Sequence, residues 1–116
     1  MTTVAVAGAS GFVGSHLLPQ LAEVFSVVGL ARRAQPTAHG VEWRACDLFS
    51  ARSTTEALRG VDVAIYLVHS MMPSSRLFQG NFHDTDLLLA DNFARACAKQ
   101  GVKQSIYLGG LIPSTG

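Results

Sequence analysis

Three glycines with the spacing GxxGxxG constrain the fold of this chain more than any other feature. Gly8, Gly11 and Gly14 follow a β-prone run at residues 4–7 and precede apolar residues at helical spacing from 12 to 24. A strand therefore passes into a helix through a glycine turn. This arrangement predicts the start of a βαβ unit, in which the chain returns to the same parallel sheet.

Strand and helix patterns continue to alternate along the chain. Strands are predicted over residues 25–30, 41–45, 61–68 and 104–108, one helix from Ser53 or Thr54 to Leu58, and another from Asp84 or Thr85 to a cap at Gly101. The run at 61–68 is almost wholly apolar, as in a strand that helices cover on both faces. We therefore expect a Rossmann-type, doubly wound α/β fold: five parallel strands in the order 3-2-1-4-5, within three α/β/α layers.

The sequence also predicts a kink in the first helix and a buried face on the last one. Pro19 lies inside the first helix, where its missing N–H removes one backbone hydrogen bond, so we expect a kink there. In the last helix, spacing predicts a shared buried face for Leu87, Ala90, Ala94 and Cys97.

Composition suits one ordinary globular domain covering residues 1–116. A 48% apolar content supplies a core, and a net charge of +1 with mixed signs argues against a nucleic-acid partner. No apolar run approaches the roughly 20 residues of a membrane span, and the amino terminus lacks the positive charge of a secretory signal, so a cytoplasmic location is expected. Cys46 and Cys97 form no CxxC pair, which favours buried thiols over a disulfide framework or a zinc site.

The glycine turn suits the binding of a dinucleotide pyrophosphate. Gly8 permits a tight turn, Gly11 lets the backbone approach the phosphates without a Cβ in the way, and Gly14 allows close packing of helix on strand. Exposed amide N–H groups and the positive end of the helix then face the phosphates. Glycines also serve plain strand-to-helix turns, but here the strand, the spacing and the helix agree.

Two arginines follow the second strand, where NAD sites usually place an acidic residue for the ribose 2′-hydroxyl. Arg32 and Arg33 occupy this place. A guanidinium can pair with a 2′-phosphate through charge-assisted hydrogen bonds and can stack on adenine. The pattern favours NADP over NAD, with solvated arginines at a strand end as the alternative.

Polar residues also follow the third and fourth strands. Asp47 could accept a hydrogen bond from the adenine amino group while Leu48 packs against the ring, or Asp47 could be the N-cap of the following turn instead. His69 and Ser70 come just past the fourth strand, at the edge where open α/β sheets bind ligands. They could line the cofactor or polarise a substrate, and a wall-lining His69 is favoured over a catalytic one.

These features resemble the atypical short-chain dehydrogenases/reductases, in particular the NmrA-like and sugar-epimerase-like branch of NAD(P)-binding proteins. GASGFVG at residues 8–14 marks the wider superfamily, while YLVHSM at 66–71 and YLGGL at 107–111 are typical of this branch. The resemblance covers most of the chain. It implies cofactor contacts at Gly8, Ser10, Gly11, Phe12, Val13, Arg32, Asp47, Leu48, Val68, His69 and Ser70.

The resemblance implies no catalytic residue in this sequence. Catalytic members carry a Ser just after the fifth strand and a Tyr-x-x-x-Lys further on, whereas Gly109 and Gly110 stand at the first place and Tyr107 has no Lys four residues later. Relatives are more than twice this long, so the chain is expected to form their amino-terminal cofactor half. Residues 1–116 alone are then expected to bind dinucleotide weakly, transfer no hydride, and self-associate through an exposed fifth strand.

Two functions follow from this comparison. The first is the NADP(H)-binding domain of a reductase or epimerase-like oxidoreductase that acts on an unidentified small molecule. The second is a redox sensor or assembly protein that binds the dinucleotide without turning it over. The first function is the leading hypothesis. The missing Ser and Tyr-Lys residues favour the second, but the sequence ends before the place of the Tyr-x-x-x-Lys, which weakens that argument.

Overall fold

The computed structural model describes residues 2–9, 12–33, 40–67 and 79–107 of the chain. Strands and helices alternate through them in the order β1 (Thr3–Ala7), α1 (Phe12–Ala22), β2 (Ser26–Ala31), β3 (Val41–Ala45), α2 (Ala51–Ala57), β4 (Val63–Tyr66), α3 (Gln79–Gln100) and β5 (Gln104–Tyr107).

The five strands form one parallel sheet in the order β3-β2-β1-β4-β5. β1 lies at its centre, where Ala5 pairs with Val28 of β2 on one side and with Ala64 of β4 on the other. The predicted strand order and Rossmann-type α/β fold are therefore confirmed.

Alternate residues of the strands supply two separate cores, one on each face of the sheet. Val4 and Val6 of β1 belong to the core that contains Leu18 of α1. Ala5 and Ala7 belong to the other, which contains Phe93 of α3 together with residues of α2. Because side chains alternate along a strand and both faces of the sheet are covered, β1 is apolar and buried at every position from Val4 to Ala7. The predicted three layers follow.

Both later helices begin before their predicted starts. Ser50, rather than Ser53 or Thr54, is the N-cap of α2, since its Oγ accepts a hydrogen bond from the Ser53 N–H at 3.1 Å. α3 begins at Gln79 instead of Asp84 or Thr85, because the first turns contain few apolar residues to reveal a helical period. Positive φ at Gly101, +70°, fits the predicted cap that ends α3.

The predicted buried face of α3 is confirmed at Ala90 and Cys97, which pack in the core, and is wrong at Ala94. The side chain of Leu87, the fourth predicted member, lies outside the described residues. Ala94 is exposed, whereas Leu89, Phe93 and Ala96 are buried with Cys97. Large side chains that fill the core, rather than the small Ala94, set the orientation of the helix.

Pro19 lies inside α1, which continues to Ala22. Its side chain faces solvent, and the Gln20 side-chain amide donates to the His16 carbonyl oxygen at 3.3 Å. The kink at Pro19 stays a prediction.

Within the described part of the chain, the helices are all too short or too polar to cross a membrane. The cytoplasmic location remains a prediction. Cys46 and Cys97 are free and buried, as expected from their isolation in the sequence.

Candidate functional site

A cavity of about 260 Å³ opens at the carboxyl edge of the sheet, where β1, β2 and β3 end. Described residues that line it are Gly8, Leu30, Ala31, Arg32, Cys46, Asp47, Leu48, Phe49 and Leu89. Four residues that the sequence singled out, Gly8, Arg32, Asp47 and Leu48, thus meet at one site from three different strand ends. Open α/β sheets bind ligands at this edge.

The end of β1 and the start of α1 pack together too closely for side chains. Gly8 has φ +86°, a left-handed value that favours glycine. A Cβ on Gly14 would lie 2.6 Å from the carbonyl oxygen of Ala9 and 2.7 Å from that of Gly8. Gly14 therefore has the close helix-to-strand packing that its spacing predicted.

Two exposed arginines follow β2, and they differ in their relation to the cavity. Arg32 lines it, whereas Arg33 is not among the described lining residues. The acidic residue that would select a free 2′-hydroxyl is missing from this strand end, since Ala31 and Arg32 supply the wall there. Among the described lining residues, Asp47 after β3 supplies the acidic group.

Asp47 begins a tight turn that leads into α2. Its Oδ1 accepts a hydrogen bond from the Phe49 N–H at 3.0 Å, and its own N–H donates to Ser53 Oγ at 2.9 Å. The alternative role of Asp47 as the N-cap of the following turn is confirmed, because its carbonyl oxygen also accepts the Ser50 N–H of that turn at 2.9 Å. Ser50, in its turn, is the N-cap of α2. The Asp47 Oδ2 atom accepts no hydrogen bond from the described residues.

The apolar wall of the cavity contains two residues that the sequence did not reveal. Phe49 lines it with 51% of its surface exposed, and Leu89 of α3 lines it while almost fully buried. Phe49 directly follows the predicted Asp47 and Leu48, so its position next to them in the sequence could have indicated that it lines the cavity. Leu89 comes from a helix about 40 residues later, and only tertiary packing brings it to the site.

The Cys46 thiol also contributes to the cavity wall. Burial raises the pKa of this thiol, and the nearby Asp47 carboxylate raises it further, whereas a hydrogen bond with Thr54 lowers it. The net effect is a raised pKa, so the thiol stays protonated near neutral pH. Cys46 thus presents a small neutral group beside Asp47.

The remaining predicted contacts divide into two groups. Val13 is exposed in the first turn of α1 and does not line the cavity within the described chain, and Phe12 is the first residue of the same helix. Ser10, Gly11, Val68, His69 and Ser70 lie outside the described residues.

Comparison with known proteins matches the sequence of this chain to one family. The family model described as "NAD dependent epimerase/dehydratase family" matches residues 4–111. The auxiliary protein GraX of Staphylococcus aureus is 29% identical over 110 residues, which make up 92% of this chain and 36% of GraX.

Solved structures agree with the family match. A mutated uronate dehydrogenase is 29% identical with a TM-score of 0.70, over 91% of this chain and 38% of the dehydrogenase. MoeE5, solved in complex with UDP-glucuronic acid and NAD, is 25% identical with a TM-score of 0.75, over 90% of this chain and 36% of MoeE5. The chain thus spans little more than a third of the length of these proteins.

Proposed function

Because the chain belongs to the NAD-dependent epimerase/dehydratase family, we propose that its cavity binds the ADP half of a nicotinamide dinucleotide for an oxidoreductase or epimerase-like reaction. The proposal assigns this binding domain to residues 1–116, as the amino-terminal part of a longer protein. The observation that carries it is the convergence of Gly8, Arg32 and Asp47 on one cavity from the ends of β1, β2 and β3.

Each part of an ADP group can be assigned to its own residues of the cavity. The glycine turn after β1 approaches the pyrophosphate, with Gly8 in the wall and Ser10, Gly11, Phe12 and Val13 as further contacts. Leu48 and Phe49 offer an apolar surface to adenine, and Asp47 offers an acceptor to its amino group. Val68, His69 and Ser70 are proposed to line the path towards the nicotinamide.

We further propose that NADP(H) is preferred over NAD(H). Arg32 lies in the cavity wall at the end of β2, where a carboxylate would repel a 2′-phosphate. Its exposed guanidinium can form charge-assisted hydrogen bonds with that phosphate. Arg33, the next residue, is proposed as a secondary contact. MoeE5 was solved with NAD, and the preference for NADP in this chain rests on Arg32 and Arg33.

The bound dinucleotide would supply a hydride acceptor or donor, and the described residues of this chain bind and orient it. The direct test is calorimetric titration of the chain with NADPH, NADH and FAD. We expect NADPH to bind most tightly, and NADH and FAD, whose ADP halves carry no 2′-phosphate, to bind more weakly. Absence of binding by both nicotinamide dinucleotides would contradict the proposed function, and tighter binding of NADH would contradict the preference for NADP.

A second candidate is a protein that binds the dinucleotide as a sensor or assembly factor without catalysis. The 29% identity to GraX, an auxiliary protein, favours it, as does the sequence Gly109-Gly110 in place of a catalytic Ser. Incubation with NADPH and a panel of quinones, aldehydes and ketones, followed by nicotinamide absorbance, separates the two. Sustained NADPH oxidation that depends on the chain would support catalysis within residues 1–116, whereas binding without oxidation is the expected result for this chain.

A further inference from the structure

Asn92 is a buried polar side chain on the otherwise apolar face of α3. It is 8% exposed and lies among the buried Leu89, Phe93 and Ala96. Its Nδ2 donates a hydrogen bond to the carbonyl oxygen of Leu48 at 2.9 Å. Burying an amide without a partner is unfavourable, so this bond fixes the position of Leu48 relative to the helix.

The Leu48 carbonyl belongs to the turn that forms the apolar wall of the cavity. α2 holds this turn at its first residue, because Ser53 Oγ accepts from the Asp47 N–H at 2.9 Å. Asn92 acts one residue later, directly between Asp47 and Phe49. The turn is thus fixed from two helices.

We propose that Asn92 is a positioning residue for adenine recognition, acting through the Leu48 carbonyl on the wall formed by Leu48 and Phe49. This inference rests on the proposed function, in which the cavity takes the ADP half of a dinucleotide. α3 also places Leu89 in the same wall, so one helix supplies both a contact surface and the anchor of the opposite turn. A side chain without a donor at position 92 lets Leu48 and Phe49 move away from adenine.

The chain offers a closely matched control on the same helix. Gln100 Nε2 donates to the Thr55 carbonyl oxygen at 2.7 Å, and this hydrogen bond joins α3 to α2. Neither Gln100 nor Thr55 lines the cavity described here. Asn92→Asp and Gln100→Glu each replace an amide by a carboxylate of the same shape that, when ionised, donates no hydrogen bond. Both variants lose one link of α3, but only the first loses the link to the cavity wall.

The experiment measures the binding of AMP, NADPH and inorganic pyrophosphate to the full chain by NMR titration, with urea unfolding of each variant. In Asn92→Asp we expect affinity for AMP and NADPH to fall about three- to tenfold, the worth of one lost hydrogen bond. Pyrophosphate binding, which depends on the glycine turn, should stay unchanged. In Gln100→Glu all three affinities should match the wild-type chain, even where its stability falls as much.

Equal weakening of AMP and pyrophosphate in Asn92→Asp, or unchanged AMP affinity, would overturn the positioning role. If Asn92→Asp fails to fold, Asn92→Ala is compared with Gln100→Ala by the same titrations, with the same criteria. Failure of the wild-type chain to bind NADPH or AMP is a different result, since it contradicts the proposed function itself.

Discussion

Arg32 and Arg33 are adjacent and both exposed, yet their side chains are not equivalent. Arg32 lines the cavity, and Arg33 is absent from its described lining. Substitution Arg32→Ala should lower NADPH affinity about 10- to 150-fold, as expected for the loss of a charge-assisted phosphate contact worth roughly 1.5–3 kcal/mol. NADH affinity should change little, because NADH carries no 2′-phosphate.

Arg33→Ala is the comparison, and calorimetry with both dinucleotides is the measurement. The NADPH/NADH affinity ratio should collapse in Arg32→Ala and fall much less in Arg33→Ala, because Arg33 is proposed only as a secondary contact. An unchanged ratio in Arg32→Ala would leave this arginine as a solvated surface residue.

Gly14 is required for a different reason from Gly101. A Cβ at Gly14 would meet backbone atoms of Gly8 and Ala9 at 2.6–2.7 Å, and such atoms cannot rotate away. At Gly101 a Cβ meets open space, and its cost is the left-handed φ of +70°. We expect Gly14→Ala to lower the free energy of unfolding by about 3 kcal/mol and Gly101→Ala by roughly 1–2 kcal/mol.

Urea unfolding of both variants tests this difference, and NADPH titration adds a second readout. Only Gly14→Ala should also weaken NADPH binding, because it alone displaces the glycine turn. Wild-type stability in Gly14→Ala would show that the helix can shift to make room.

The buried thiol of Cys97 on α3 makes the free energy of unfolding depend on pH in the alkaline range. Burial raises the pKa of its thiol from 9.0 to about 11. The folded state therefore keeps a proton that the unfolded state loses, so the stabilisation is fully present below pH 9 and is lost as pH rises towards 11. Urea unfolding across this range should show a shallower decline in Cys97→Ala than in the wild-type chain. Parallel declines would contradict the assignment to this thiol.

The cavity residues that directly follow a strand could be predicted from the sequence. Gly8, Arg32, Asp47 and Leu48 each follow a strand, and the carboxyl ends of parallel strands share one edge. Leu89 and Asn92 could not be found in this way. They lie on a helix far along the sequence, and their role depends on how that helix rotates against the sheet.

At the scale of elements, an arginine side chain from β3 caps the carboxyl end of α2. Arg44 Nη1 donates to the carbonyl oxygens of Ala57 at 2.9 Å and Arg59 at 2.8 Å, and its Nε donates to Glu42. Cationic donors stabilise the negative end of a helix. Arg44→Met, which keeps the aliphatic stem, should lower the free energy of unfolding by about 1–2 kcal/mol, because the Arg44 side chain is only 28% exposed.

Arg95→Met provides the comparison for Arg44→Met. Arg95 pairs with Asp91 within α3, but both side chains are largely exposed, so its loss should cost less than about 0.5 kcal/mol. Chemical denaturation of the two variants is the measurement. Equal losses would show that the carbonyl contacts of Arg44 add nothing to an ordinary surface ion pair.

Element boundaries were predictable where apolar patterning is dense. β3 occupies the predicted residues 41–45, and the buried part of β4 lies inside the predicted 61–68. The start of α2 was misplaced because three hydroxyl residues compete as caps, and hydrogen bonding selects Ser50. The buried face of α3 was predicted wrongly at Ala94 because spacing alone gives Ala94 and Phe93 similar weight, whereas packing favours the larger ring.

At the scale of the whole molecule, the two edges of the sheet differ in charge. β3 carries Glu42 and Arg44 as a paired acid and base, whereas β5 reads Gln-Ser-Ile-Tyr without a charge. Charged side chains discourage edge-to-edge pairing, and an uncharged, exposed edge leaves its backbone groups available to another strand. Self-association of the chain should therefore proceed through β5 rather than β3.

Analytical ultracentrifugation over a range of concentrations tests this prediction with one lysine at each edge. The wild-type chain should rise above its monomer mass of 12.3 kDa as concentration increases. Ser105→Lys places a charge at an exposed position of β5 and should hold the chain near that mass, whereas Ala45→Lys, at an exposed position of β3, should associate like the wild type. Because both variants add the same charge, a general gain in repulsion would reduce association equally. Equal behaviour of the two would therefore contradict the assignment to β5, and a wild-type chain that stays monomeric throughout would contradict association itself.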